Sequence, residues 1–400
     1  MNGNSKKIVI NDYCGHPFQI DLSKELARRS YKVLHLYTSA SGGPKSIPNV
    51  NEYSDLIIKD IVIPEISKQN FFRRWWQERL YGVRVVEELK KFSPDLMISA
   101  NTPLSALRLI KSYSESNDIK FVFWLQDIIS VAVNSILGKR FGILGKIIGY
   151  VFKKIEYNIL SNSDKIITIA DEFIETIELW GIDTKKAITI PNWAPIEQMP
   201  IISKENTFSR KYGIENKFVI MYSGTLGLKH NPYLISQTAK RLLTNNEIIF
   251  VVITDGIGRE ILEKEKKQKD LKNLLLLNFQ PPEEFSNVLA ASDILLTILE
   301  KEAGIYSVPS KVWSGYCAGK PSLLIMPHEN LAAKRTIEVN AGFVIANDDA
   351  DNLDKKILEL KNNPKLCQSL GANGRMFAEK NFKISTIGNK FDDIINSILS

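Results

Sequence analysis

Apolar residues in this chain come in short unbroken runs separated by longer amphipathic stretches, the pattern of parallel strands buried on both faces and covered by helices. In the first half the runs KIVIND (7–12), KVLHLYT (32–38), LIIKDIVI (56–63), DLMISA (95–100), KFVFWL (120–125), KIITIA (165–170) and AITIPN (187–192) predict strands. Helical periodicity covers 21–29, 84–91, 104–112, 143–160 and 171–179. From 193 to 217 the periodicity fades among Pro195, Pro200 and mixed polar residues, which predicts a linker. The alternation restarts with FVIMYS (218–223), IIFVVIT (248–254), LLLLNF (274–279), DILLTIL (293–299), PSLLIM (321–326) and AGFVIA (341–346). The expected fold is α/β, two doubly wound parallel sheets: a domain over 1–195, a linker over 196–217, a domain over 218–384, and a helix over 385–400 with the option of crossing back to the first domain. In such sheets ligands sit beyond the carboxyl ends of the strands, so two halves facing each other are expected to form a central cleft.

Composition adds exclusions. Four hundred residues, 44% hydrophobic, suit two cores of roughly 200 residues each. The net charge of +7 is spread evenly along the chain, without a basic or acidic tail, so nothing calls for nucleic acid. Cys14, Cys317 and Cys367 are scattered and odd in number, which speaks for a reducing cytoplasm and against a disulfide frame or structural zinc. Lys6 to Ile10 reads as a first strand rather than a leader, and no run reaches the roughly 18 to 20 apolar residues of a membrane span.

The carboxyl ends of the predicted strands carry the candidate chemistry. Strand 218–223 runs into Gly224-Thr225-Leu226-Gly227, then Lys229 and His230; this arrangement points backbone N–H groups and a helix dipole at an anion, with two side chains placed to add donors. The plain alternative is a strand-to-helix turn beside a solvated lysine. A second polar loop, Thr254-Asp255-Gly256-Ile257-Gly258, follows the next strand, and a third runs from Glu300 to Lys311, where Pro309 suits a first helical turn and Ser307 a cap.

Taken in order, YSGTLG, TDGIGRE, NFQPPEEFSNVLAASDILL, EAGIYSVPSKVWSGYCAGKPSLL and AGFVIANDDADNL resemble the nucleotide-sugar domain of a GT-B glycosyltransferase of family 4, and PNWAPI (191–196) is similar to the segment closing the first domain in bacterial members that act on lipid-linked sugars. The resemblance implies GT-B architecture with two Rossmann-like domains. It implies that Gly224, Thr225 and Lys229 neighbour a donor diphosphate, with Asp255 and Gly256 in the next loop. Tyr306, Ser307 and the N–H groups of Val308, Ser310 and Lys311 are then expected near the diphosphate and the transferred sugar, and the loop at Phe279 by the base. Two departures stand out: the family's pair of glutamates falls on Tyr306 and Ser314, with Glu300 or Glu302 as substitutes for the first, and Thr225 replaces the usual arginine.

In the first half, Asp12-Tyr13-Cys14-Gly15-His16 resembles the family's glycine loop beneath the donor, with Gly15 in the turn and His16 reaching phosphate or acceptor; otherwise His16 is a solvated turn residue. Asp127 ends strand 120–125 and is the candidate for the acceptor hydroxyl proton, or else a helix cap. Asp349-Ala350-Asp351 reads as an acidic helix start rather than a metal site, and no metal ligand set is expected. Residues 138–160 place Lys139, Arg140, Lys146, Lys153 and Lys154 along an apolar stripe with Leu144, Ile148, Val151 and Ile155, and 69–77 mixes Phe, Trp and Arg; either both lie on an anionic membrane or they cover the core.

The expectation is therefore a bacterial, cytoplasmic enzyme, peripheral on the inner face of the membrane. It transfers a sugar with retention from a UDP-linked donor to a lipid-linked or saccharide acceptor in O-antigen or surface polysaccharide assembly, without cofactor or metal. The alternatives are a nucleotide-sugar epimerase of the same fold and a non-catalytic binding subunit.

Overall fold

The computed structural model describes residues 5–41, 53–67, 70–227, 230–301, 308–347 and 349–400. They form two compact units, one of 1–192 with 384–400 and one of 193–383. The first holds seven strands, β1 (Lys7–Asp12), β2 (Lys32–Tyr37), β3 (Leu56–Asp60), β4 (Leu96–Ala100), β5 (Lys120–Leu125), β6 (Lys165–Thr168) and β7 (Ala187–Thr189), in the order β3-β2-β1-β4-β5-β6-β7. The second holds β8 (Phe218–Ser223), β9 (Ile248–Ile253), β10 (Leu274–Leu277), β11 (Ile294–Ile298), β12 (Ser322–Ile325) and β13 (Gly342–Ile345), in the order β10-β9-β8-β11-β12-β13. All pairings are parallel. In each sheet the order reverses at the first strand, between β1 and β4 and between β8 and β11, which is where a doubly wound sheet opens a crevice for a ligand.

The unbroken apolar runs are explained by burial on both faces. In β8, Ile220 and Tyr222 join one core with Phe250, Val252 and Leu296, while Val219 and Met221 join the other with Val251 and Ile253. Each fully buried large apolar side chain contributes about 1.5–3 kcal/mol, so single strands of this kind are strongly held.

Several elements differ from the expectation. Strand 56–63 stops at Asp60, although Ile61 and Ile63 remain buried and Val62 exposed as the chain continues extended. The helix expected over 84–91 begins much earlier and spans Phe71–Phe92, because the Asn70 side chain accepts the Arg73 N–H at 3.0 Å and caps it. The helix expected over 143–160 spans Ile129–Ser161 and breaks at Gly142 (φ 54°, ψ −125°). Its two arms run antiparallel: a Cβ on Gly149 would collide with Asn134, and one on Gly145 with the Leu137 carbonyl. Gly145 and Gly149 are the close contacts of a helical hairpin.

Residues 193–217 belong to the second unit. Trp193, Ala194, Ile196 and Met199 are buried there, and the short helix Thr207–Tyr212 is closed by a reciprocal cap between Asn206 and Ser209. Polar composition hid this packing. The last helix, Ile384–Leu399, belongs to the first unit, where Phe391 lies 5.0 Å from Trp124, Arg29 donates to the Ser385 carbonyl and Tyr31 to Asp392.

Candidate active site

In the first unit the site forms where β1 and β4 end. Asp12, the last residue of β1, has a fully buried carboxylate. It accepts the N–H of Cys14 at 3.2 Å, the backbone N–H of His16, the His16 ring at Nδ1 (3.0 Å) and the Asn101 amide at 3.3 Å. Gly15 makes the return possible: its φ is 69°, its N–H closes onto the Asp12 carbonyl, and a Cβ there would press on the Tyr37 ring at 3.1 Å. Burial works to raise the Asp12 pKa, but the bond and charge of His16 outweigh it and hold the carboxyl below its usual range. Burial likewise works to lower His16, yet the Asp12 bond and charge, with the charge of Asp127, keep the imidazole above its usual value.

Asn101 follows β4 in the left-handed region (φ 51°) and also lies 3.3 Å from His16 Nδ1. A buried polar network supports its turn: Tyr81 donates to Asn11 Oδ1 (2.6 Å), and the Asn11 amide donates to Ser99 (3.1 Å) and Thr102 (2.7 Å). Asp127 is exposed just beyond β5, and its charge bears on His16, Cys14 and Glu156. The helix after it is capped by the buried Glu156, which accepts the N–H groups of Ile129 and Ser130 at 3.0 Å each. These two N–H groups are thus taken by Glu156 and not by Asp127.

In the second unit the site lies at β8 and β11. Gly224 (φ 133°) donates to the Ile253 carbonyl at 3.0 Å, and a Cβ on it would stand 3.1 Å from the Lys311 ammonium, a tight contact. That ammonium sits 3.8 Å from the centroid of the Tyr222 ring, and Tyr222 donates to the Thr225 carbonyl at 2.8 Å. A small pocket there is lined by Ser223, Thr297, Lys311 and Ser314 on one side and by apolar side chains, among them Phe285 and Leu295, on the other. The glycine loop also meets the next one, since Gly258 packs directly on the Leu226 carbonyl. Asp255 turns its carboxylate back onto the Gly256 N–H at 2.7 Å.

The outcome for the expected residues is mixed. Gly224, Thr225 and Lys311 come together, and the loop that carries Gly256 touches theirs at Gly258 and Leu226. The Nδ1 of His230 accepts the Gly227 N–H at 3.0 Å and closes the turn, which leaves the ring proton on Nε2. The helix Lys311–Cys317 starts after Ser310, so Pro309 precedes the cap instead of occupying the first turn. Phe279 is exposed, Val308 half-buried and Ser310 exposed. Lys229, Tyr306 and Ser307 lie outside the described residues. Asp349 precedes the helix Ala350–Asn362, as a helix start requires. Asp12, Asn101 and the Lys311 ammonium escaped the sequence reading, although each stands at a strand or helix end; the missing signal was the strand order.

The chain matches the model for Glycosyltransferase Family 4 over residues 19–198 and that for Glycosyl transferases group 1 over residues 204–377. It is 24% identical over 230 residues to WcaI of Escherichia coli (strain K12), a protein named for colanic acid biosynthesis and glycosyl transfer, covering 56% of this chain and about half (55%) of WcaI. To WbjE of Pseudomonas aeruginosa, named as a glycosyltransferase, it is 22% identical over 81% of this chain and 80% of that one. The fold matches the crystal structure of Anabaena HepE in complex with UDP-glucose, with a TM-score of 0.73 at 15% identity over 98% of this chain and 99% of that chain. The chain belongs to the family 4 glycosyltransferases of GT-B architecture.

Proposed function

We propose that this protein transfers a sugar, with retention at the anomeric carbon, from a UDP-linked donor to a hydroxyl of a lipid-linked or saccharide acceptor during surface polysaccharide assembly. The observation that carries this reading is the Lys311 ammonium held against Tyr222 and Gly224 where β8 and β11 part. Breaking the bond between the anomeric carbon and the diphosphate leaves negative charge on phosphate, and a preorganised cation lowers the energy of that charge. The departing phosphate oxygen takes the proton of the attacking hydroxyl. HepE is described in complex with UDP-glucose and WcaI is named for colanic acid biosynthesis, which supports the donor class and the setting.

The first unit supplies the acceptor side, with Asp127 and His16 facing the hydroxyl. Its surface also favours an anionic membrane. Among the described residues no helix is long and apolar enough to cross one. The hairpin tip, however, exposes Ile143, Leu144, Ile147 and Tyr150 beside Lys146, Lys153 and Lys154, and the helix Phe71–Phe92 exposes Phe72, Trp75 and Trp76 beside Arg73 and Arg74.

Lys311→Met is the direct test. It is expected to weaken UDP binding by about 1.5–3 kcal/mol, the contribution of a hydrogen bond to a charged group, and to slow sugar release from UDP-glucose in parallel. Calorimetry showing wild-type affinity removes Lys311 from the site; UDP binding without turnover of any sugar donor and acceptor favours a binding subunit instead.

A further inference from the structure

The first unit contains a residue cluster whose geometry exceeds what a turn needs. One buried carboxylate collects four donors, and two of them, the backbone N–H and Nδ1, belong to the same histidine. We infer that Asp12 and Asn101 are positioning residues that hold the His16 imidazole in one orientation, Nδ1–H toward the buried carboxylate, so that Nε2 is presented to a neutral sugar hydroxyl at the carboxyl ends of β1 and β4.

The orientation follows from the bonds. A carboxylate below its usual pKa is an acceptor only, so the Nδ1 that meets Asp12 at 3.0 Å carries the proton, and in the neutral ring Nε2 is then the acceptor. The Asn101 amide donates to the same Asp12 oxygen, and its 3.3 Å approach to the protonated Nδ1 is then a contact between two donors that share that acceptor. Asn101 could not do so from an ordinary extended turn; the Tyr81–Asn11–Ser99–Thr102 network stabilises the left-handed conformation that brings it there.

Charge selects the ligand class. The groups bearing on His16 and Asp12 are Asp127, Cys14, His35 and Tyr81. Burial keeps Cys14 and Tyr81 protonated, both raised, and His35 neutral, lowered to about 4. Arg74 reaches the cluster only at Cys14 and Tyr13, so among the described residues the charges that bear on His16 itself are those of Asp12 and Asp127, and both oppose a phosphate there. A sugar hydroxyl meets no such repulsion: it can donate to Nε2 or to Asp127 and accept from a protonated Nε2. The ligand class rests on the glycosyl-transfer reading; the geometry of the cluster does not.

Long-range ¹H–¹⁵N spectra of histidine-labelled protein test this without turnover, with His16 assigned by its loss in His16→Gln. The expected result is a neutral ring protonated on Nδ1, titrating above the usual histidine range. Asp12→Asn should lower that titration and mix the tautomers, and Asn101→Ala, the milder variant should Asp12→Asn fail to fold, should shift it the same way by less. An unchanged tautomer and titration in a folded variant overturns the positioning role. Methyl glucoside should perturb the Nε2 signal and inorganic phosphate should not; perturbation by phosphate alone, or by neither, overturns the hydroxyl assignment. Failure of UDP to bind would instead count against the transferase reading and leave these spectra interpretable.

Discussion

His35 lies in the middle of β2 with no exposed surface, its Nδ1 2.7 Å from the Ser23 hydroxyl. Burial lowers its pKa to about 4, opposed in part by the Asp12 charge and reinforced by that of His16. Between about 6.5, the usual value, and about 4 the unfolded chain binds this proton and the folded chain does not, so stability falls as the pH drops through that window. His16 acts in the opposite sense: its raised pKa contributes stability that is present below the unfolded value and lost as the pH rises through the folded one. Urea unfolding of His35→Gln against wild type isolates the first effect. The wild-type protein should lose on the order of 3 kcal/mol more than the variant between pH 7 and pH 4; parallel pH profiles would show that His35 is already accessible to protons. At this scale Gly15, His16 and Asp127 were legible because polar residues closing an apolar strand stand out. Asp12 was read only as the start of a loop, since nothing in KIVIND tells that its carboxylate is buried and meets an asparagine 89 residues away.

At the scale of elements the informative case is Ile129–Ser161. Thirty-three helical residues would make a rod about 50 Å long. The Gly142 break and the close contacts at Gly145 and Gly149 make it a hairpin instead, clamped at its base by Glu156. Burial raises the Glu156 pKa, the Ser130 and Ile129 bonds oppose this, and the Asp127 charge adds to it. The apolar periodicity of 143–160 was visible in the sequence; the first arm was not, because its partner face is the other arm rather than the sheet. Ile143, at 78% exposure, and Leu144, at 69%, gain nothing from the fold, so their cost is recovered only on an apolar surface. Replacing both by serine should leave the melting temperature unchanged and reduce flotation on anionic vesicles several-fold, and salt should release the wild-type protein. Equal flotation of both proteins would show that the tip does not enter the bilayer.

At the scale of the molecule, the last helix puts Ile387, Phe391, Ile394 and Ile395 into the core of the first unit. Four such side chains are worth roughly 6–12 kcal/mol before any relaxation, as much as a whole domain's net stability. Ending the chain at Lys383 should therefore strip hydrogen-exchange protection from β1–β7 while β8–β13 keep theirs; equal protection in both sheets would mean that the helix is an accessory.

The thirteen described strands, their parallel character and the family were settled by the sequence alone, because burial on both faces forces an unbroken apolar run and that signal is local. Strand order was decided only by the tertiary structure, and with it the meeting of Asp12 with Asn101 and of Gly224 with Lys311. The reason is physical: a hydrophobic pattern records how deeply each residue is buried, whereas a hydrogen bond or an ion's position depends on which distant segment the crossovers bring alongside.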